Sequence, residues 1–151
     1  MPQIIPFTSN YQREFKQLNM EWLEHYGLVE SHDLEILDDP QGTVIGGGGK
    51  IYLAKIGDKI VGTAGLWKED EESYELIKMA VDPLYRGRGI SRLLMDHCLM
   101  EAKKLNAKKV FLYSNSQLTT ALKLYEKYGF KFIEPKNSPF STADVKMELY
   151  L

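Results

Sequence analysis

An α/β fold on one mixed sheet, with helices on both faces, is the class this sequence predicts. Three observations carry that prediction. Residues 50–81 read as an antiparallel meander of strands. From residue 82 the grammar becomes turn, helix, strand, helix. A helix standing between two strands is the connection that parallel neighbours need, so an antiparallel half leads into a parallel crossover. The chain has 151 residues, the size of one ordinary domain, and 1–151 is expected to be a single unit with its own core.

The elements follow in order. Gln3 to Phe7 read as a short strand. Ser9 and Gln12 have capping-box spacing, and Phe15, Leu18, Trp22 and Tyr26 recur behind them at helical spacing, which predicts a helix to about Gly27. A second helix covers Ser31 to Asp38, stopped by Pro40, and Gly46 to Gly49 read as a flexible approach to the next strand. Lys50–Ile56 and Lys59–Trp67 are strands joined at Gly57-Asp58, a hairpin connection. Glu69 to Glu72 form a solvated turn, and Ser73 to Val81 is the third strand of the meander. Ile90, Leu93, Leu94, His97, Cys98, Ala102 and Leu105 make one helical stripe, and Lys109 to Ser114 a buried strand. Leu118, Ala121, Leu122 and Tyr125 mark the last helix, with Gly129 at C′ and Phe130 as its hydrophobic contact. Strands around Phe130–Glu134 and Asp144–Tyr150 close the chain.

Composition excludes several functions. A formal net charge of −2 lacks the basic surplus of a general nucleic-acid binder. One Cys rules out an internal disulfide framework and a multi-thiolate zinc site, and His25, His32 and His97 share no metal-ligand spacing. No basic segment followed by an apolar run opens the chain, and no stretch is apolar enough to span a bilayer. A cytoplasmic protein with no membrane partner is the expectation.

The sharpest local feature is Tyr85-Arg86-Gly87-Arg88-Gly89-Ile90-Ser91, between a strand and a helix. Unpaired N–H groups at a helix N-terminus attract phosphate, and glycines let it come close. Arg86, Arg88 and Arg92 add charge there; a plain strand-to-helix turn with incidental arginines is the alternative. A dinucleotide fingerprint fails, because Arg92 holds the third glycine position and Lys108 and Lys109 stand where an acidic ribose partner belongs. A P-loop fails too, at Val44 and Ile51.

The segment Met79-Ala80-Val81-Asp82-Pro83-Leu84-Tyr85-Arg86-Gly87-Arg88-Gly89-Ile90-Ser91 resembles the acetyl-CoA pyrophosphate-binding segment of GNAT-type N-acetyltransferases. Arg86 and Gly89 match its pattern; Ser91 departs from the final glycine or alanine but is still small. Asn115, Ala121, Leu124-Tyr125-Glu126-Lys127 and Gly129-Phe130 resemble a second segment of that family. The likeness runs from about Lys50 to Glu134 and is loose before it. It implies the GNAT fold: six to seven strands, mostly antiparallel, with a central splayed parallel pair. It also implies acetyl-CoA as cosubstrate and transfer of acetyl to a primary amine, on a small molecule or a protein, by direct attack. A monomer or homodimer is expected.

Residue by residue, the resemblance implies that the main chain of Met79 and Val81 holds the pantetheine arm and that Val81 N–H receives the oxyanion. It gives Arg86, Gly87, Arg88, Gly89, Ile90 and Ser91 to the pyrophosphate, and Asn115 to a further cofactor contact. Tyr125 would protonate the leaving thiolate, which suits a phenol protonated at neutral pH; core packing is its alternative. Glu75 is the implied base, set against a surface carboxylate, and its even spacing from Met79 and Val81 predicts one shared face. His97 and Cys98 fall on the apolar stripe and read as core. Acceptor candidates are Trp22, His25, Tyr26 and Glu30, with Asp33, Glu35 and Trp67 behind them, although the same residues make an ordinary amphipathic helix. A catalytically inactive acyl-CoA sensor and a structural interaction domain are the competing functions.

Overall fold

The antiparallel half of the sheet comprises β1 (Gln3–Pro6), β2 (Lys50–Ile56), β3 (Lys59–Lys68) and β4 (Ser73–Val81). Each pairs with the next in the order of the chain. The other half comprises β5 (Lys109–Ser114), β6 (Lys131–Ile133) and β7 (Val145–Tyr150). This computed structural model describes residues 1–136, 138 and 141–151, and among them the sheet order is β1-β2-β3-β4-β5-β7-β6. The β4–β5 pair is parallel and brief: Ser73, Tyr74 and Glu75 face Lys109, Val110 and Phe111. Beyond Glu75 the two strands part, and β4 runs on to Val81 without β5 beside it.

Helices α1 (Gln12–His25) and α2 (Ser31–Asp38) cover one face, and α3 (Ile90–Lys104) and α4 (Thr119–Lys127) the other. Phe15, Leu37 and Leu53 are sealed on the first face and Leu94, Cys98 and Met147 on the second, each 0% exposed. Sealing a side chain of Phe or Leu size contributes about 1.5–3 kcal/mol, so the sheet is clamped from both sides. The last turn of α4 closes as predicted. Phe130 N–H donates to Tyr125 O at 3.1 Å and Gly129 N–H to Glu126 O at 3.0 Å, with Gly129 at φ +95°. That is the Schellman pattern, which aims Tyr125 and Phe130 at one core.

Several expectations need correction. Ser9 caps nothing: Ser9–Tyr11 is a 3-10 turn, and α1 begins at Gln12 without a side-chain cap. The inward stripe of α3 is Ile90, Leu94, Met95, Cys98 and Ala102, while Leu93 is 40% exposed. The glycine run is not a loose approach. Residues 41–45 form a π-helical turn, and Gly49 N–H donates to Val44 O at 2.9 Å. A Cβ on Gly49 would meet Leu66 O at 2.3 Å, so close backbone approach explains that glycine.

The correction with most consequence lies in β4. Thr63 pairs with Ala80 but Gly65 with Ile77, so Lys78 and Met79 together face the single residue Ala64. This is a β-bulge, with Lys78 at φ +52°. The extra residue reverses the phase of the strand. Tyr74 and Leu76 face α3, and beyond the bulge Met79 and Val81 pack on that same side. Glu75, between Tyr74 and Leu76, faces α1 and α2. Glu75, Met79 and Val81 therefore do not share a face, contrary to their even spacing.

Candidate functional site

Where β4 and β5 part, a cavity of about 620 Å³ passes through the sheet. Its charge is sorted by face. On the α3–α4 side the lining includes Arg92, Lys123 and Lys127; on the α1–α2 side it includes Asp33, Glu75 and Lys78, and Arg86, past the end of β4, reaches toward α1. Among the described lining residues no carboxylate stands on the first side.

The cationic half is built on main chain. Gly87 and Gly89 both sit at φ +78°, a left-handed conformation that glycine adopts without strain. Gly89 is the N-cap of α3 and no side chain caps the helix. The first-turn N–H groups, which no helical carbonyl reaches, open on the cavity at Ile90, Ser91 and Arg92. Asp82 N–H donates to Val61 O at 2.8 Å. By strand alternation the polar groups of Val81, and of Met79 before it, turn to the opposite edge, where β5 has left. Arg88 does not line the cavity; its guanidinium lies 4.9 Å from the Tyr85 ring centroid. Arg86 is 3.8 Å from Glu21 of α1.

Tyr125 lines the same half, its ring centroid 5.9 Å from that of Phe130. Burial pushes its phenol up to about 12. Asn115 reaches the cavity, but its amide is spent on neighbours: Nδ2 donates to Thr142 O at 2.7 Å and Oδ1 accepts from Gln117 N–H at 2.9 Å.

The carboxylate half is built on side chains. Glu75 is 7% exposed, and burial lifts its carboxyl to about 7. Lys78 and Lys146 pull it down and Glu69 pushes it up. Lys78 itself is buried and salt-bridged to Asp33 of α2, whose other oxygen accepts from Glu30 N–H at 2.9 Å. The Lys78 carbonyl accepts from Thr63 Oγ1 at 2.7 Å. Asn19 Nδ2 donates to that hydroxyl at 3.0 Å, and Asn19 Oδ1 accepts from Trp22 Nε1 at 3.1 Å. The bulge is thus tied to α2 through its side chain and to α1 through its main chain.

Of the acceptor candidates, Trp22, Tyr26 and Asp33 line the cavity; Glu30 and Trp67 do not. Trp67 stands opposite Glu75 on β3 and meets the His32 ring at 6.1 Å. His25 packs edge-on against Tyr26, and Glu35 lies 3.7 Å from His32. The Glu30 carboxylate grips the segment before β7, accepting from Ser141 N–H at 2.8 Å and Thr142 N–H at 3.1 Å and from both hydroxyls. Those bonds, against the opposing cost of burial, hold its pKa down at about 2. Sequence reasoning missed Lys78, Lys123, Lys127, Thr142 and Ala143 in the lining. Only the i, i+4 pair Lys123 and Lys127, one helical turn apart beside Tyr125, left a signal in the sequence.

Comparison with known proteins points one way. A family model described as Acetyltransferase (GNAT) family matches residues 8–130. The uncharacterized N-acetyltransferase YvbK of Bacillus subtilis is 29% identical over 105 residues, covering 68% of each chain. Across the first curated relatives, the matched part spans from 26% to 68% of their length. A GNAT-family acetyltransferase of Staphylococcus aureus superposes with a TM-score of 0.92 at 24% identity, over 100% of this chain and 99% of that one. The PaiA N-acetyltransferase of Thermoplasma acidophilum, in complex with coenzyme A, gives 0.80 at 16% identity over 100% and 99%. At such identities the structural likeness speaks for the fold.

Proposed function

The chain belongs to the acetyltransferase (GNAT) family, whose model spans residues 8–130, and from that premise we propose that it moves an acetyl group from acetyl-CoA to a primary amine within a ternary complex. One observation carries the reading: a single cavity crosses the sheet, cationic and amide-lined on one face, carboxylate-bearing on the other. The residues present fit the cosubstrate. Uncapped N–H groups at Ile90, Ser91 and Arg92 suit a pyrophosphate. The outward edge of Met79 and Val81 suits an amide-bearing arm, as an added strand would. Coenzyme A in the Thermoplasma neighbour supports the same ligand class. Bound there, acetyl-CoA supplies an activated acetyl thioester.

The protein's own groups then divide the work. Glu75, with a pKa of about 7, takes a proton from the arriving ammonium, because about half of it is carboxylate at neutral pH. Val81 N–H faces the gap and donates to the developing oxyanion. Tyr125, at about 12, stays protonated and returns a proton to sulfur. Such a phenol is a weak acid, but at neutral pH it still carries the proton that the departing thiolate needs. Base and acid act from opposite faces, so no proton need pass between them directly. Asn115 serves as a positioning residue, joining the end of β5 to Thr142.

The test is thiol release from acetyl-CoA in the presence of a broad panel of primary amines. Release that requires both the protein and an amine is expected. Acetyl-CoA binding by calorimetry without release from any amine would overturn transfer and leave a binding module.

A further inference from the structure

Lys78 stands between two carboxylates. Ile77 packs with the core under α1 and α2, so strict alternation would turn Lys78 toward α3. The bulge, with Lys78 at φ +52°, keeps its side chain on the side of Glu75, and both line the carboxylate half of the cavity. A buried ammonium needs a counter-charge. It takes Asp33 of α2, the two side chains being 5% and 3% exposed. Asp33 is fixed for that task. As N3 of α2 it closes a capping box with Glu30, whose N–H donates to Asp33 Oδ2 at 2.9 Å, while Oδ1 receives Lys78.

Glu75 meanwhile sits in a mixed field. Lys78, from its own strand, and Lys146, from β7, favour its carboxylate, and Glu69 opposes it. Lys146 Nζ lies 5.1 Å from the ring centroid of Phe111, which pairs with Glu75 from β5. From α1 comes Tyr26 in the same lining, with Glu21 paired to Arg86. From α2 come Asp33 and also His32, which meets Trp67 opposite Glu75 on β3. Lys146 is half-buried, so water screens its charge; Lys78 is sealed and its charge is not screened in that way.

We infer that Asp33 is a positioning residue for acetyl transfer: it anchors the Lys78 ammonium on α2, so that Lys78 does not close an ion pair with Glu75 and the Glu75 carboxylate stays open to the incoming amine. This rests on the reading of Glu75 as base. Without Asp33, the buried ammonium turns to the carboxylate three positions before it on the same side. An opposite charge so close holds a carboxyl in its ionised form, and a carboxylate held that way is a weaker base.

The test reads the carboxyl and the reaction separately. NMR titration of the side-chain carboxyls, with Glu75 assigned by its loss in Glu75→Gln, follows its protonation without any substrate. In Asp33→Asn its midpoint should fall by about one pH unit or more. The lower limb of kcat/KM on the best amine should move with it, to a lower plateau, while acetyl-CoA affinity by calorimetry holds. Lys78→Met should move the midpoint upward. Asp33→Asn combined with Lys78→Met should bring it back toward wild type, since the pair is then removed whole. A loss of packing alone would not reverse sign between the two single variants. An unmoved midpoint in either folded single variant overturns the inference, and so does loss of the fold in both, which would make the pair purely structural. A midpoint that shifts while the limb of kcat/KM stays put, or thiol release with no amine at all, instead overturns the reading on which the inference rests.

Discussion

The two halves of the cavity are made differently. The cationic half is mostly local: its strand edge, glycine turn and helix start fall within residues 79–92, and main-chain groups supply much of its polar surface. The carboxylate half is assembled from α1, α2, β4 and the segment before β7, and side chains do nearly everything. A site of backbone amides tolerates side-chain change but depends on glycine conformations. A site of buried charges depends on each partner, because a lone buried charge is costly. The halves should therefore fail in different ways.

The largest separation is expected from Glu75→Gln. Loss of a positioned base lowers kcat/KM by about 10²–10⁴-fold, with acetyl-CoA affinity unchanged because the cationic half is intact. In the wild type, kcat/KM should climb as pH rises through about 7, where Glu75 loses its proton. A pH–rate profile of the variant that keeps this limb would assign it to the amine instead.

The same substitution should stabilise the fold at alkaline pH. Burial raises the folded pKa of Glu75 to about 7 from its ordinary value of 4.5. The native state then holds a proton that the unfolded chain releases, so stability falls as pH rises across that window and stays lower above it. A shift of this size corresponds to about 3 kcal/mol. Denaturant melts should show Glu75→Gln more stable than wild type at pH 8 and equal at pH 4. Equal stability at both would mean the carboxylate is well solvated.

Gly89→Val strikes the other half. Gly89 sits at φ +78°, which a β-branched residue adopts only with strain. Acetyl-CoA affinity should fall about tenfold or more, roughly 1.4 kcal/mol, in a protein that still melts cooperatively. Calorimetry showing wild-type affinity would remove the turn from the binding site. A smaller contrast comes from salt. Arg92, Lys123 and Lys127 would face a polyanionic cosubstrate, so raising ionic strength should weaken acetyl-CoA severalfold while an amine KM moves less. Equal salt dependence of the two would break the sorting of charge by face.

The same contrast explains what was legible in the chain. Sheet, crossover and glycine turn follow from periodicity and from a contiguous motif. The bulge did not: Lys78 is not a glycine, and nothing in Ile77-Lys78-Met79 announces a positive φ. Its cause is tertiary, the bond to Asp33 of α2 and the Thr63–Asn19 chain from α1. Glu30 looked like a pocket carboxylate because its partners, Ser141 and Thr142, lie more than a hundred positions away, at separations of 111 and 112. Trp67 had the right strand but packs against His32. Local patterns carry local architecture; the carboxylate half is a long-range product.

In the acetyl-transfer reading the two halves meet at one thioester, with Tyr125 supplying the proton from the α4 side. Tyr125→Phe keeps the ring against Phe130 and removes only the hydroxyl. Turnover on the best amine, measured beside acetyl-CoA affinity by calorimetry, is the direct test. We expect kcat lowered by about 10²-fold or more with affinity unchanged; wild-type kcat in the folded variant would contradict a proton-donating role for Tyr125.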